Sequence, residues 1–265
     1  MKNIKCILLD IDKTLTNDNK EITEETSQFF SKINKDFLIV LVSGRNAKYT
    51  IEKSKKCCAS PIIISDNGAV ILNYEANEVL FEIAFNKELL DIIWHISLKY
   101  NIGVAFNTLN KRYWDSVSLK KRHKTDNDVG INDTSEIIDT VTQVVIHGNN
   151  ESEFLKCLDE IKIINEIEIG NYGRESDGKC FADLNIKGTS KGRAIDELYK
   201  LFNIKKSESI CFGDSKNDLS MFESSGVKVA MINGTEEIKD NADFITEFSN
   251  NENGVIEFLR QYLLN

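Results

Sequence analysis

The chain has 265 residues, 41% of them hydrophobic and 28% charged, with a net charge of −9 at pH 7. That length allows one large domain or two ordinary ones, each with a proper core, and the negative balance argues against nucleic acid or an anionic membrane surface as a partner. No stretch approaches the roughly 20 apolar residues that span a bilayer, and the N-terminal run lacks the length and cleavage site of a secretory signal.

Three short apolar runs, Ile4–Leu9, Phe37–Val42 and Ile62–Ile64, read as strands of a parallel sheet buried on both faces. Thr23 to Lys35 between them reads as a helix with Ile22, Thr26, Phe29, Phe30 and Ile33 on one side. The middle of the chain alternates apolar with polar residues, at Val79–Phe85, Ile102–Asn107, Arg112–Ser116, Val141–His147, Ile163–Ile169 and Cys180–Ile186. Such alternation predicts a sheet with one solvated face, and amphipathic helices over Lys87–Tyr100 and Glu151–Ile161 can cover the other. Residues 120–135 are strongly polar and read as a mobile loop. Strand–helix alternation then resumes. Ser190 caps a helix reaching about Phe202, followed by a strand at Ser209–Phe212, a helix over Asp218–Ser224 stopped by Gly226, and a strand at Val227–Met231. The expectation is a doubly wound α/β core, residues 1–83 and 185–265, with an inserted α+β domain at 84–184.

The six cysteines, Cys6, Cys57, Cys58, Cys157, Cys180 and Cys211, form no CxxC pair. They read as buried reduced thiols of a cytoplasmic protein. The informative residues lie at the ends of predicted strands, where open α/β sheets bind ligands. Asp10-Ile-Asp12-Lys-Thr14 follows the first strand, and two carboxylates so close repel unless a cation or proton shares the site. Ser43-Gly44-Arg45 follows the second strand, where a hydroxyl and free N–H groups suit a phosphate oxygen. Lys191 opens a helix, where a cation opposes the macrodipole unless an anion lies between. Gly213-Asp214-Ser-Lys-Asn217-Asp218 brings two more acids to the same edge. Taken singly, Asp10 or Asp214 also suits a turn, Ser43 a helix cap, Thr14 a structural hydroxyl, Asp218 a helix N-terminus and Lys191 plain solvent.

Taken together, Asp10-x-Asp12-x-Thr14, Ser43, Lys191 and Gly213-Asp214-x-x-Asn217-Asp218 resemble the four ordered motifs of haloacid dehalogenase-type hydrolases. Asn67-Gly68-Ala69, Val229-Ala230-Met231 and Asn253-Gly254-Val255 are similar to the lesser signatures of the Cof-type branch. The resemblance covers nearly the whole chain, departing from it where Lys13 and Ile232 replace the usual glycines. It implies a magnesium-dependent phosphatase in which Asp10 attacks phosphorus and Asp12 serves as acid and base. Asp10, the carbonyl of Asp12 and Asp214 would be Mg2+ ligands, oriented from behind by Asp218. Thr14, Ser43, Gly44, Asn217 and Lys191 would hold the phosphoryl group. An insertion between Ser43 and Lys191 is similar to a C2B-type cap, which implies a small phosphorylated metabolite as substrate, sugar phosphates first. A phosphohexomutase of the phosphomannomutase type and a non-enzymatic phosphometabolite sensor are the alternatives. The first needs a more cationic insert than Arg112, Arg122 and Arg174 provide, and the second would be expected to lack Asp10 or Asp12.

Overall fold

The N-terminal apolar runs form the strands Cys6–Leu9 (β1), Leu38–Val42 (β2) and Ile62–Ser65 (β3), followed by Val70–Asn73 (β4) and Glu78–Glu82 (β5). Helices Glu24–Ile33 (α1) and Ala47–Cys57 (α2) link the first three. Thr23 and Asn46 start these helices, each accepting a backbone N–H three residues on. Asn46, not Ser43, is therefore the cap of α2. The chain continues through Lys87–Lys99 (α3), Gly103–Thr108 (β6), Arg112–Asp115 (β7), Ser116–Leu119 (α4), Asp128–Ile131 (β8) and Val141–Gly148 (β9). Glu151–Ile161 (α5), Ile167–Arg174 (β10) and Cys180–Ile186 (β11) follow. Lys191–Phe202 (α6), Ser209–Gly213 (β12), Leu219–Glu223 (α7), Val227–Ala230 (β13), Glu236–Asp240 (α8), Phe244–Ile245 (β14) and Gly254–Tyr262 (α9) complete it. This computed structural model describes residues 3–120, 125–174 and 178–262.

The chain divides into two units, Met1–Phe81 with Ser190–Asn265, and Glu82–Thr189. Among the described residues, the first holds an eight-stranded sheet of order β14-β13-β12-β1-β2-β3-β4-β5. Its strands run parallel from β14 to β3, and β4 reverses against β3. The central strands are apolar without interruption because both faces are covered. Ile7, Leu9, Ile39, Leu41 and Phe212 pack with residues of α1 and α9 on one side, and Cys6, Leu8, Val40, Val42 and Cys211 with residues of α6 and α7 on the other. In register, Leu9 lies beside Phe212 and Leu41, so the carboxyl ends of β12, β1 and β2 reach one edge together. Val79–Phe85, read as a strand across the expected boundary at 83/84, contains most of β5, which sits on the edge of this core sheet. Its alternation reflects an edge strand with a solvated side. All six cysteines are free, and five are buried. Among the described residues no helix is long and apolar enough to cross a membrane.

Among the described residues, the second unit holds a six-stranded sheet of order β10-β11-β9-β6-β7-β8, antiparallel except for the β7–β8 pair. One face packs Val104, Phe106, Tyr113, Val144 and Ile146 against Leu90, Ile93 and Trp94 of α3 and Phe154 and Leu158 of α5. The other face is mixed: Ala105 and Trp114 pack there with Leu119 of α4 in a small apolar cluster, beside polar residues that are themselves buried. Asn107 and Gln143 are buried and joined by a hydrogen bond of 2.9 Å, and Arg112 Nε donates to Asn107 Oδ1 at 2.7 Å. These are cross-strand neighbours, so each satisfies the next. The loop expected at 120–135 contains β8, whose Asp128 accepts the Trp114 indole N–H at 2.8 Å. Residues 121–124, most of the basic run with Arg122, lie outside the described residues. The strand expected at Ile163–Ile169 begins only at Ile167, after a turn, and runs to Arg174.

Candidate active site

The first component is the turn after β1. The Asp10 amide donates to the Phe212 carbonyl at 3.1 Å, which ties the end of β1 to β12 and sets Asp10 near the Gly213-Asp214 turn. Lys13 adopts φ 64°, a left-handed conformation that suits glycine, and its carbonyl accepts the Asn233 side-chain amide at 2.8 Å. That conformation suits the glycine that the resemblance leads one to expect at this position. Lys13→Gly is expected to stabilise the protein by about 1 kcal/mol, the strain of a non-glycine residue there less the added freedom of the unfolded chain. Denaturant titration checks it, and a loss of stability would contradict the strain. Ile232, the other departure, does not lie in the left-handed region, and its N–H donates to Thr246 Oγ1 at 3.0 Å.

The second component is the turn after β12. A Cβ on Gly213 would lie 2.6 Å from that of Asp218, so only glycine lets Asp218 fold back beneath the strand end. There Asp218 Oδ2 accepts the N–H groups of Asp214 at 3.0 Å and Ser215 at 3.1 Å. The third component is the start of α6, capped by Ser190. Lys191 is buried, and its ammonium donates to Asp10 Oδ1 and Asp218 Oδ1, each at 2.6 Å. The anion expected near this helix start is thus a pair of carboxylates. Thr14, expected on the phosphoryl group, donates its hydroxyl to Asp214 Oδ1 at 3.3 Å. One Lys191 ammonium therefore faces three aspartates, Asp10, Asp214 and Asp218, whose carboxylate oxygens lie within 4.8 Å of one another. Fully ionised, the four groups sum to −2, three negative charges against one positive.

That imbalance governs their titration. Burial first, then the charge of Asp218, push the Asp10 carboxyl up to about 8 against the pull of Lys191. Burial and Asp218 likewise push Asp214 up to about 6. Burial alone would drive the Lys191 ammonium down, but Asp10 and Asp218 outweigh it and raise it.

Asp12 has partners of its own. Its Oδ2 accepts Arg45 Nε at 2.8 Å and its Oδ1 the Tyr49 hydroxyl at 2.9 Å. Burial pushes the Asp12 carboxyl up, but these two donors outweigh it and hold it below the usual range. Among the described residues, no hydrogen bond or ion pair joins Ser43 or Asn217 to the aspartate–lysine cluster. Ser43 Oγ accepts the Arg45 N–H at 3.1 Å within its own turn, and exposed Asn217 accepts the Ser215 hydroxyl at 2.7 Å. Gly44 belongs to that turn and lies under the Asn67 side chain, where a Cβ would meet Asn67 Oδ1 at 2.6 Å. The Asp66–Gly68 turn is bound to the Ser43 turn by the Asp66 N–H on the Arg45 carbonyl and the Asn67 N–H on the Ser43 carbonyl. Roles for Arg45 in its motif and for Tyr49 escaped the sequence, since nothing in the spacing marks an arginine and a tyrosine four apart as partners of Asp12.

Parallel strands β1 and β12 deliver Asp10 and Asp214 to one edge, against a buried lysine at the start of α6, the helix that leads into β12, an arrangement that fits a hydrolase of the haloacid dehalogenase type. A family profile described as haloacid dehalogenase-like hydrolase matches residues 7–259. The chain is 26% identical to the 5-amino-6-(5-phospho-D-ribitylamino)uracil phosphatase YwtE of Bacillus subtilis, covering 98% of each. It is 26% identical to a phosphoglycolate phosphatase of Sulfurisphaera tokodaii, covering 97% of this chain and 93% of that one. A crystal structure of a haloacid dehalogenase-like hydrolase from Bacteroides thetaiotaomicron superposes with a TM-score of 0.84 at 26% identity, over 97% of this chain and 99% of that one. Another similar structure, a subclass IIB sugar phosphatase, gives 0.76 at 25% identity over 97% and 98%. The chain belongs to the haloacid dehalogenase-like hydrolases, in their Cof-type branch, and is a phosphoric monoester hydrolase.

Proposed function

We propose that the enzyme hydrolyses small phosphorylated metabolites, sugar phosphates first among them, by a Mg2+-dependent route through an aspartyl-phosphate on Asp10. The observation that carries this reading is the cluster of three buried aspartates on one lysine, with its excess of two negative charges. Oxygen donors of this hardness suit Mg2+, and the upward push on Asp10 and Asp214 is the signature of charge that a divalent cation would balance. Asp10, Asp214 and the carbonyl of Asp12 would hold the ion. Asp218 is already committed through Oδ1 to Lys191 and through Oδ2 to two N–H groups, which fits an orienting role. The bound cation would offset the phosphoryl charge that otherwise repels a carboxylate nucleophile.

In the first step an Asp10 oxygen bonds to phosphorus as the ester P–O bond breaks, and Asp12 gives its proton to the departing oxygen. In the second, water attacks the same phosphorus, Asp12 takes the water's proton, and Asp10 is released with phosphate. Lys191 fixes the Asp10 carboxylate throughout. An ionised Asp12 is ready for the second step. The first requires it protonated, which a phosphate dianion beside its carboxyl favours. Relatives named for phosphoglycolate, for a ribitylamino-uracil phosphate and for sugars support compact monoesters as the substrate class. The insert, which rejoins the core at Ser190, one residue before Lys191, is in our reading a C2B-type cap that selects among them. A screen of phosphorylated metabolites for phosphate release, with and without Mg2+, tests this. We expect sugar phosphates to lead and chelator to abolish turnover; chelator-resistant activity, or efficient hydrolysis of a phosphoprotein alone, would overturn it.

The same cluster predicts a pH signature. Raised carboxyl groups keep protons in the folded chain that the unfolded chain has released. In the absence of divalent cation, Asp10 and Asp214 therefore lower stability as pH rises from about 4 towards about 8. Mg2+ displaces those protons, so the stabilisation it gives grows with pH over that window, with apparent affinity rising by up to about tenfold per pH unit for each proton displaced. Thermal melts at pH 6 and pH 8 across a Mg2+ series read it. An identical Mg2+ effect at both would contradict the assignment.

A further inference from the structure

The carboxyl group of Asp12 is held at both oxygens by residues outside the aspartate–lysine cluster. Arg45 Nε reaches one oxygen at 2.8 Å and the Tyr49 hydroxyl the other at 2.9 Å. Both donors come from one short piece of backbone. Arg45 lies in the turn after β2, its N–H on Ser43 Oγ. Tyr49 is in the first turn of α2, its N–H on the Asn46 cap. The tyrosine ring is itself fixed. The Arg45 guanidinium lies 5.7 Å from its centroid and Lys53 Nζ 5.2 Å. Lys53 is anchored in turn on the Lys20 carbonyl at 2.8 Å. A carboxyl group gripped at both oxygens has a set direction as well as a set place. Proton transfer needs that, since a carboxyl that rotates freely spends little time aligned with the oxygen it serves.

We propose that Tyr49, through its hydroxyl and together with Arg45, is a positioning residue that aims the Asp12 carboxyl group at the leaving oxygen of the phosphate ester. This rests on the acid role given to Asp12 above. The Tyr49 ring is half-buried, and its contacts with the core, Arg45 and Lys53 would survive in phenylalanine, so what the hydroxyl adds is its bond to Asp12. Removing the hydroxyl leaves Asp12 with one donor and freedom to turn about its terminal bond. The loss therefore falls on the step in which the leaving group departs, and on leaving groups that need a proton most.

The test is a series of phosphate monoesters with leaving groups from p-nitrophenol to simple alcohols. The quantity compared is kcat/KM, which reports events up to and including departure of the leaving group. For Tyr49→Phe we expect the alkyl-to-aryl ratio of kcat/KM to fall about tenfold, with a steeper dependence on leaving-group pKa than in the wild type. Arg45→Gln should steepen the same plot. An equal drop for every ester would mark Tyr49 as merely structural and overturn the proposal, as would an unchanged ratio. Asp12→Asn in the same series keeps the two readings apart. If it fails to steepen the plot, the acid role of Asp12 is wrong; if it steepens the plot and Tyr49→Phe does not, only the positioning role falls. Melting curves of each variant establish that it is folded, and should Tyr49→Phe not fold, Arg45→Gln carries the test.

Discussion

Asp10→Asn is expected to lower kcat by at least about a thousandfold while leaving the protein folded. The amide keeps the shape but has no charge with which to attack phosphorus, and loss of a nucleophile is among the costliest single changes in an enzyme. The fold should survive because the folded chain already favours a neutral group there: burial and the charge of Asp218 push that carboxyl up to about 8. An asparagine imitates the protonated form and can still accept from Lys191. Phosphate release checks the first half and denaturant titration the second. Activity near that of the wild type would remove Asp10 from the chemistry.

Lys191→Met should damage both stability and turnover. The ammonium holds Asp10 and Asp218 together at 2.6 Å each and is almost wholly buried. Methionine fills the space of the stem but leaves two buried carboxylates facing each other, a type of loss worth about 3–5 kcal/mol. Turnover should fall by about 10²–10³, the range for removing one group that stabilises developing charge. A double mutant separates repulsion from lost packing. If the cost is electrostatic, Asp10→Asn added to Lys191→Met should restore part of the stability, with a coupling of about 1–3 kcal/mol. Strict additivity would show that the lysine matters for its packing instead.

Local signals disclosed most of the core because its strands are short, apolar on both faces and punctuated by cap residues. Asp10 and Asp214 were legible because each follows such a run, Asp218 and Lys191 because each lies at a helix start, and the register of β1 with β12 does the rest. Ser190 announced its helix by residue type, and the helix after Thr23 showed in the spacing of its apolar residues. Elements set by long-range pairing were less legible. β5 alternates like a strand of the insert but belongs to the core edge. β8 hides in a polar stretch because only Val129 and Ile131 of it turn to the core, the rest of its support coming from pairing with β7 and from the Trp114–Asp128 bond. The partners of Asp12 were hidden for a geometric reason. Arg45 and Tyr49 meet it only because β1 and β2 lie side by side and α2 starts where β2 ends. Direction of side chains also escaped the motif: the Lys191 ammonium lies on two carboxylates, and Thr14 on Asp214.

The central claim is that Asp10 becomes phosphorylated during turnover. The direct measurement is to mix enzyme, Mg2+ and the best substrate from the screen, quench within a turnover, reduce with borohydride and sequence the peptides by mass spectrometry. An acyl phosphate is reduced to the alcohol, so an aspartyl-phosphate at this position becomes homoserine. We expect homoserine at position 10, dependent on substrate and Mg2+ and absent from Asp10→Asn. Full turnover with an unmodified Asp10 at every quench time, or homoserine at another aspartate, would contradict it.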